Sequence, residues 1–239
     1  MTNFDPQAIT QSAEFQEELA IQRTFMARVF GWMTIGLLVT ALTALAFAEV
    51  PALHNAVFNN PGVAIGLLIT YFVVGLGFGF LFRSVPSPVA AAMFVVYSVV
   101  TGIVLSTVFL VYTSASIYGT FFITAGMFGT MAFIGYTTKR DLSSLGMILF
   151  MALIGLFLAS IVNIFLHSSG LYWLISLAGV AIFTGLTAYD VQRIKQSYAS
   201  GQFGSRAFTN SAIFGAFMLY LDFINLFMYL LRFLGNRRD

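Results

Sequence analysis

The chain has no cysteine, which excludes disulfides, thiol nucleophiles and thiolate metal sites together. Charge is almost as scarce: Asp, Glu, Lys and Arg make up 8% of the 239 residues. No basic stripe interleaved with aromatics occurs, so nucleic-acid binding has no support. The two histidines, His54 and His167, are far apart, and only Glu49 lies near the first, which makes a poor metal site. Proline is nearly confined to links: four of the five, Pro51, Pro61, Pro86 and Pro88, stand between long apolar stretches.

What remains is mostly apolar. Hydrophobic residues are 59% of the chain, and so few charges cannot cover a water-soluble core of this size. The surface must face a lipid bilayer. Seven stretches approach the roughly 20 apolar residues that a spanning helix needs: Val29–Ala48, Val63–Phe82, Val89–Tyr112, Ile117–Tyr136, Leu145–Leu166, Leu171–Val191 and Ser211–Leu231. The expected fold is all-α, a polytopic membrane protein built as one seven-transmembrane-helix bundle over residues 29–234. Residues 1–28 are polar and read as a cytosolic tail, helical over Ser12–Arg28 or else a disordered leader. They lack the basic start and short apolar core of a secretory signal. Residues 235–239 form a short C-terminal tail.

Lysine and arginine set the expected orientation. Arg23 and Arg28 precede the first span, Arg83 follows the second, Lys139 and Arg140 the fourth, and Arg193, Lys195 and Arg206 the sixth. The other three links have none, which predicts a cytoplasmic N-terminus. Seven spans then put the C-terminus outside, although Arg232, Arg237 and Arg238 stand there against the rule. The last segment either crosses or is re-entrant. Crossing is expected, because Ser211–Leu231 has no proline or central glycine to break it. Glycine spacings such as Gly62/Gly66, Gly75/Gly79 and Gly126/Gly129 read as helix-packing contacts. The run GLGFGF lies inside a span and is no nucleotide loop.

Seven of the nine acidic residues occupy tails, links or segment ends; Asp190 and Asp222 do not. A carboxylate at membrane depth costs several kcal/mol unless it is protonated, paired or hydrated. Asp222 lies 11 residues beyond Ser211, about 16 Å along a helix, with Asn225 three positions on and on the same face. Its plain alternative is a hydrogen bond to a neighbouring helix. Asp190 stands five residues before Lys195, about 7 Å from that end, where Arg193 at i+3 offers an ordinary interfacial ion pair. The two depths therefore match only if a helix is tilted or the seventh enters later. If the carboxyls meet, they cannot both ionise cheaply, so the pair titrates as a unit and holds one proton over some window. Doubly ionised, it would repel itself and attract a hard cation, above all calcium. Arg83 could neutralise one member or simply set topology. Asn163, Ser160, Thr101, Ser106 and Thr107 could line a wet path, but such groups usually bond their own helix backbone.

The segments YTTKRDLSSLG, GLTAYDVQRIK and LYLDFINLFMYLLR, with RTFMARVFGWMTIGLL near the start, resemble the Bax inhibitor-1 (transmembrane Bax-inhibitor-motif) family in its bacterial branch. The resemblance implies a bundle whose last helix is central, which would explain a crossing seventh helix with a basic end. It implies a pH-sensitive calcium leak governed by Asp190 and Asp222, with Arg83 as a latch on the pair. FLFRSVP around Arg83 carries no distinctive motif, and the GQFGSRAFTN link is longer than in some relatives. It places the chain in a bacterial inner membrane.

The leading expectation is a calcium-permeable leak channel gated by the aspartate pair, with Asn225 in support, calcium as a transported or bound ion and no cofactor. An alternative is a regulatory partner of a membrane-bound ATP-dependent protease, engaged through the N-terminal tail. A remote third is an intramembrane aspartyl protease. Those enzymes need Gly-x-Gly-Asp at the second acid, where this chain has Leu219-Tyr220-Leu221-Asp222, and its Pro51-Ala52-Leu53 lies in the wrong link. The chain is not expected to be an enzyme.

Overall fold

A computed structural model of the chain describes residues 6–82, 84–199 and 208–238. Among these, nine helices follow one another: α1 (Pro6–Glu49), α2 (Pro51–Phe58), α3 (Pro61–Leu81), α4 (Ser87–Ser106), α5 (Val108–Val111), α6 (Ser114–Thr137), α7 (Ser143–Leu166), α8 (Ser169–Ala199) and α9 (Phe208–Leu234). Seven are candidate spans by length and composition, with α4 and α5 counted as one. The protein is an all-α polytopic membrane protein.

Local chemistry sets the boundaries. Proline stands in the first turn of α2, α3 and α4, where a missing N–H forfeits no helical bond. Asn60 caps α3 by accepting the Gly62 N–H at 3.1 Å, and Thr113 caps α6 through Ser116. Asp141 takes the Ser143 N–H at 2.9 Å and the Ser143 hydroxyl at 2.7 Å, just ahead of α7. His167 closes α7 in the left-handed region, φ 49°. The break between α4 and α5 falls where Ser106 and Thr107 both bond carbonyls three residues back.

Three sequence expectations need amendment. The tail and the first span are one helix, since α1 runs unbroken for 44 residues from Pro6. The first link contains the short helix α2 rather than turns alone. The glycine pairs mostly do not pack helices: nothing lies within 4 Å of a Cβ built on Gly66, Gly79, Gly126 or Gly129. Only Gly75 of those six meets another helix, at Tyr97. Close approach occurs instead at Gly102, where a Cβ would lie 2.6 Å from the Thr40 carbonyl oxygen, at Gly135 against the Ala188 carbonyl, and at Gly146 against the Tyr189 ring. The reason is placement. Small residues bring backbones together only on a face that already has a neighbour, and just 6% of the α3 span is buried.

α9 is the most enclosed span, with 67% of its apolar window buried. It packs against α1, α4, α6 and α8, while α7 packs against α8. Phe78 of α3 also reaches Phe217 of α9, ring centroids 4.5 Å apart. At one end of the bundle Asn210 donates to the Phe82 and Val85 carbonyls (3.1 and 2.8 Å), fixing the start of α9 to the α3–α4 link. At the other end the chain after α9 pairs with the α5–α6 link. Thr113 N–H donates to Asn236 O, Arg238 N–H to Val111 O, and Tyr112 bridges Arg237. The last helix therefore runs the full length of the bundle and is not re-entrant.

Candidate functional site

Asp222 sits 14 residues into the 27-residue α9, about 21 Å from its start and close to its middle. Asp190 sits nine residues before the end of α8, about 13 Å from it. That is deeper than Lys195 suggested, because α8 continues to Ala199. The remaining offset of about 8 Å places the first turns of α9 beyond the end of α8. The depth mismatch closes in this way: the two carboxyl groups lie within side-chain hydrogen-bonding reach of each other. Asp222 is only 5% exposed, and its Oδ2 atom has no hydrogen-bond partner.

Both acids line one cavity of about 960 Å³ between α7, α8 and α9. Tyr189, Asp190 and Arg193 are its titratable groups from α8, Asp222 is the one from α9, and α7 contributes none. Arg193 is exposed, and its guanidinium exerts an electrostatic pull on Asp190. Asn225 lines the same cavity, and its amide N–H donates to the Leu221 carbonyl at 2.8 Å. Apart from Ser143 the rest of the wall is apolar. Arg83, the expected latch, lies outside the described residues.

A clamp beside the acids went unnoticed in the sequence. Gln192, 5% exposed, donates to the Arg140 carbonyl (2.7 Å) and accepts the Leu142 N–H (2.8 Å). Lys195 donates to the Tyr136 carbonyl at 2.8 Å, at the C-terminal turn of α6, and lies over the Tyr136 ring. Together they hold the end of α6 and the α6–α7 link onto α8 within two turns of Asp190. The only available signal was VQRIK following the acid, which reads equally as a solvated helix end.

A second buried polar group lies on the opposite side of α9. Tyr220, 0% exposed, shares a 2.6 Å hydrogen bond with the Thr40 hydroxyl, which also reaches the Ser98 carbonyl at 3.0 Å. A lone tyrosine in an apolar helix gives no hint of this. The hydroxyls expected to line a wet path bond their own helices: Thr101 to Tyr97, Ser106 to Ile103, Thr107 to Val104 and Ser160 to Leu156. Asn163 accepts the Ser168 N–H beyond the end of α7. The histidines stay apart, His54 against the Phe58 ring and His167 at its helix end. Among the described residues no group of three or more His, Cys, Asp or Glu could hold a metal.

Comparison with known proteins agrees with the motifs. The family described as inhibitor of apoptosis-promoting Bax1 matches residues 22–239. The inner membrane protein YbhL of Escherichia coli (strain K12) is 48% identical over 219 residues, covering 90% of this chain and 93% of that protein. A protein of Borreliella burgdorferi is 44% identical over 94% of this chain and 97% of its own length. A membrane protein of Streptococcus pyogenes serotype M1 is 36% identical over 89% of this chain and 92% of its own. With a match across nearly all of its length and bacterial relatives of the same extent, the chain belongs to the Bax inhibitor-1 family of integral membrane proteins.

Proposed function

We propose that the protein is a passive, pH-sensitive leak for calcium, with Asp190 and Asp222 as its gate. One observation carries the reading: two carboxyl groups meet in a cavity beside the middle of the most enclosed helix. With one proton between them they join α8 to α9 through an O–H···O bond. Without it, two anions face each other in a poorly solvated site, and the contact loosens. The same doubly charged state favours a hard cation with oxygen ligands, and the Asn225 carbonyl oxygen adds a third. Two carboxylates bind calcium weakly, which suits passage, since a permeating ion must also leave. In this reading Arg83 latches the closed pair. The N-terminus faces the cytoplasm of a bacterial inner membrane and the C-terminus lies outside.

Calcium flux into proteoliposomes between about pH 6 and about pH 8 tests the gate, comparing wild type, Asp190→Asn and Asp222→Asn. The wild type is expected to respond to pH and both variants to lose that response. The same flux and pH response in all three would sink the reading.

A partner role draws on a different feature. At 44 residues α1 is about 66 Å long, roughly twice the hydrocarbon thickness. Its acidic first part, with Glu17 and Glu18 exposed, is then free to engage a membrane-bound ATP-dependent protease. Deleting the residues before Arg23 should abolish co-purification with the protease and leave flux intact. Unchanged co-purification would remove this role.

A further inference from the structure

The cavity that holds the aspartates is far larger than an ion requires. Its roughly 960 Å³ is the size of a site for a drug-like organic molecule, a class of pocket with mostly apolar walls and a few placed polar groups. Its walls fit that description. Met147, Phe150 and Phe157 of α7 line it and are also 68%, 60% and 64% exposed on the flank of the bundle. A pocket whose rim is made of exposed apolar side chains within the spanning region opens to lipid rather than to water. Entry is therefore sideways, from the hydrocarbon.

The polar end is equally specific. Asp222 is 5% exposed, lines the cavity, and keeps one oxygen without any hydrogen-bond partner. An acceptor enclosed in this way calls for a donor or a cation. The charged neighbours satisfy it only in part. Asp190 is itself acidic and offers at most the one proton that the pair shares, and Arg193, which lines the same cavity and pulls on Asp190, is exposed, so water screens it. Sharing one proton, the pair carries one negative charge, which a single positive charge neutralises.

We propose that this cavity is a binding site for an amphipathic monocation, a long-chain amine or quaternary ammonium. Its head rests on Asp222 and its hydrocarbon lies along Phe150, Phe157 and Met218. The proposal takes the aspartate cavity from the reading above, but it needs no calcium flux.

The full chain in lipid nanodiscs is titrated with dodecyltrimethylammonium, a fixed cation, with binding to empty nanodiscs subtracted. Dodecanol and dodecyl sulfate serve as neutral and anionic matches. One saturable site for the cation is expected, at least about tenfold weaker in Asp222→Asn and retained in Asp222→Glu. Met218→Trp, which fills the cavity without touching the charge, should also block it. Size-exclusion profiles matching the wild type show that the variants fold. No saturable cation site, equal affinity for dodecanol, or unchanged binding in Asp222→Asn would each overturn the proposal. Flux that ignores the pair would sink the leak and leave this site standing; amine binding that ignores Asp222 would do the reverse.

Discussion

The two sides of α9 carry the same kind of polar load and treat it in opposite ways. Toward α1 and α4, Tyr220 is fully enclosed and satisfied by Thr40, which in turn bonds Ser98. Two residues on, facing α7 and α8, Asp222 is almost as enclosed and has an oxygen with no partner. On the first side Gly102 lets α4 reach the backbone of α1. The other borders a cavity of about 960 Å³. In lipid no hydrophobic force drives helices together, so packing and interhelical hydrogen bonds hold the first side. The second side keeps its packing against α8 but has a cavity and an unpartnered carboxyl oxygen beside it, and such a place can change state with little rearrangement of the rest.

The largest effect should come from wedging the packed side. Gly102→Leu drives a side chain into the Thr40 carbonyl and should cost about 3 kcal/mol in a reversible unfolding titration in detergent. Gly155→Leu, where nothing lies within 4 Å, should cost little by comparison. Equal costs would dissolve the contrast between packed and open surfaces.

Asp222→Asn should do the opposite of a packing variant. It abolishes the pH response of flux while moving stability by no more than about 1 kcal/mol, because the amide can still donate a hydrogen bond to Asp190. A large loss of stability would mean that Asp222 is a structural hydrogen-bonding group.

Tyr220→Phe removes one hydroxyl and leaves Thr40 its bond to Ser98, so a cost of about 1 kcal/mol is expected. Calcium flux and its pH response should be unchanged. A flux change would couple the two sides of α9.

The smallest effect concerns the α6–α7 link. The Ser143 hydroxyl and N–H hold the Asp141 carboxyl below its ordinary range. A carboxyl lowered on folding stabilises above its unfolded value and loses that contribution as pH falls through the folded one. The protection of the Ser143 amide against hydrogen exchange, taken relative to its intrinsic rate at each pH, should therefore hold from neutral pH down to about pH 4 and fall below that. Asp141→Ala should lack that protection throughout.

Much of this is legible in the residues. Long apolar runs separated by short polar or proline-bearing links give seven spans, because backbone in lipid must satisfy its own hydrogen bonds and length then sets the element. The expense of a carboxylate in such a run marked Asp222 directly. Helix ends were less visible. α8 continues past Lys195 as a polar, solvated helix, and the depth of Asp190 was misjudged for that reason. The glycine pairs misled because spacing says which residues share a face, not whether another helix lies opposite.

Residue types and their order are enough to make the chain helical, to place it in a bilayer, and to mark two acids as out of place there. Those follow from solvation, which acts residue by residue. The packing of the helices is what brings Asp190 and Asp222 into one cavity, answers Tyr220 with Thr40, and sets Gln192 to hold the link beside the acids. Each joins residues far apart in the chain, and the rotation and height of one helix against another are set by all the contacts between them at once.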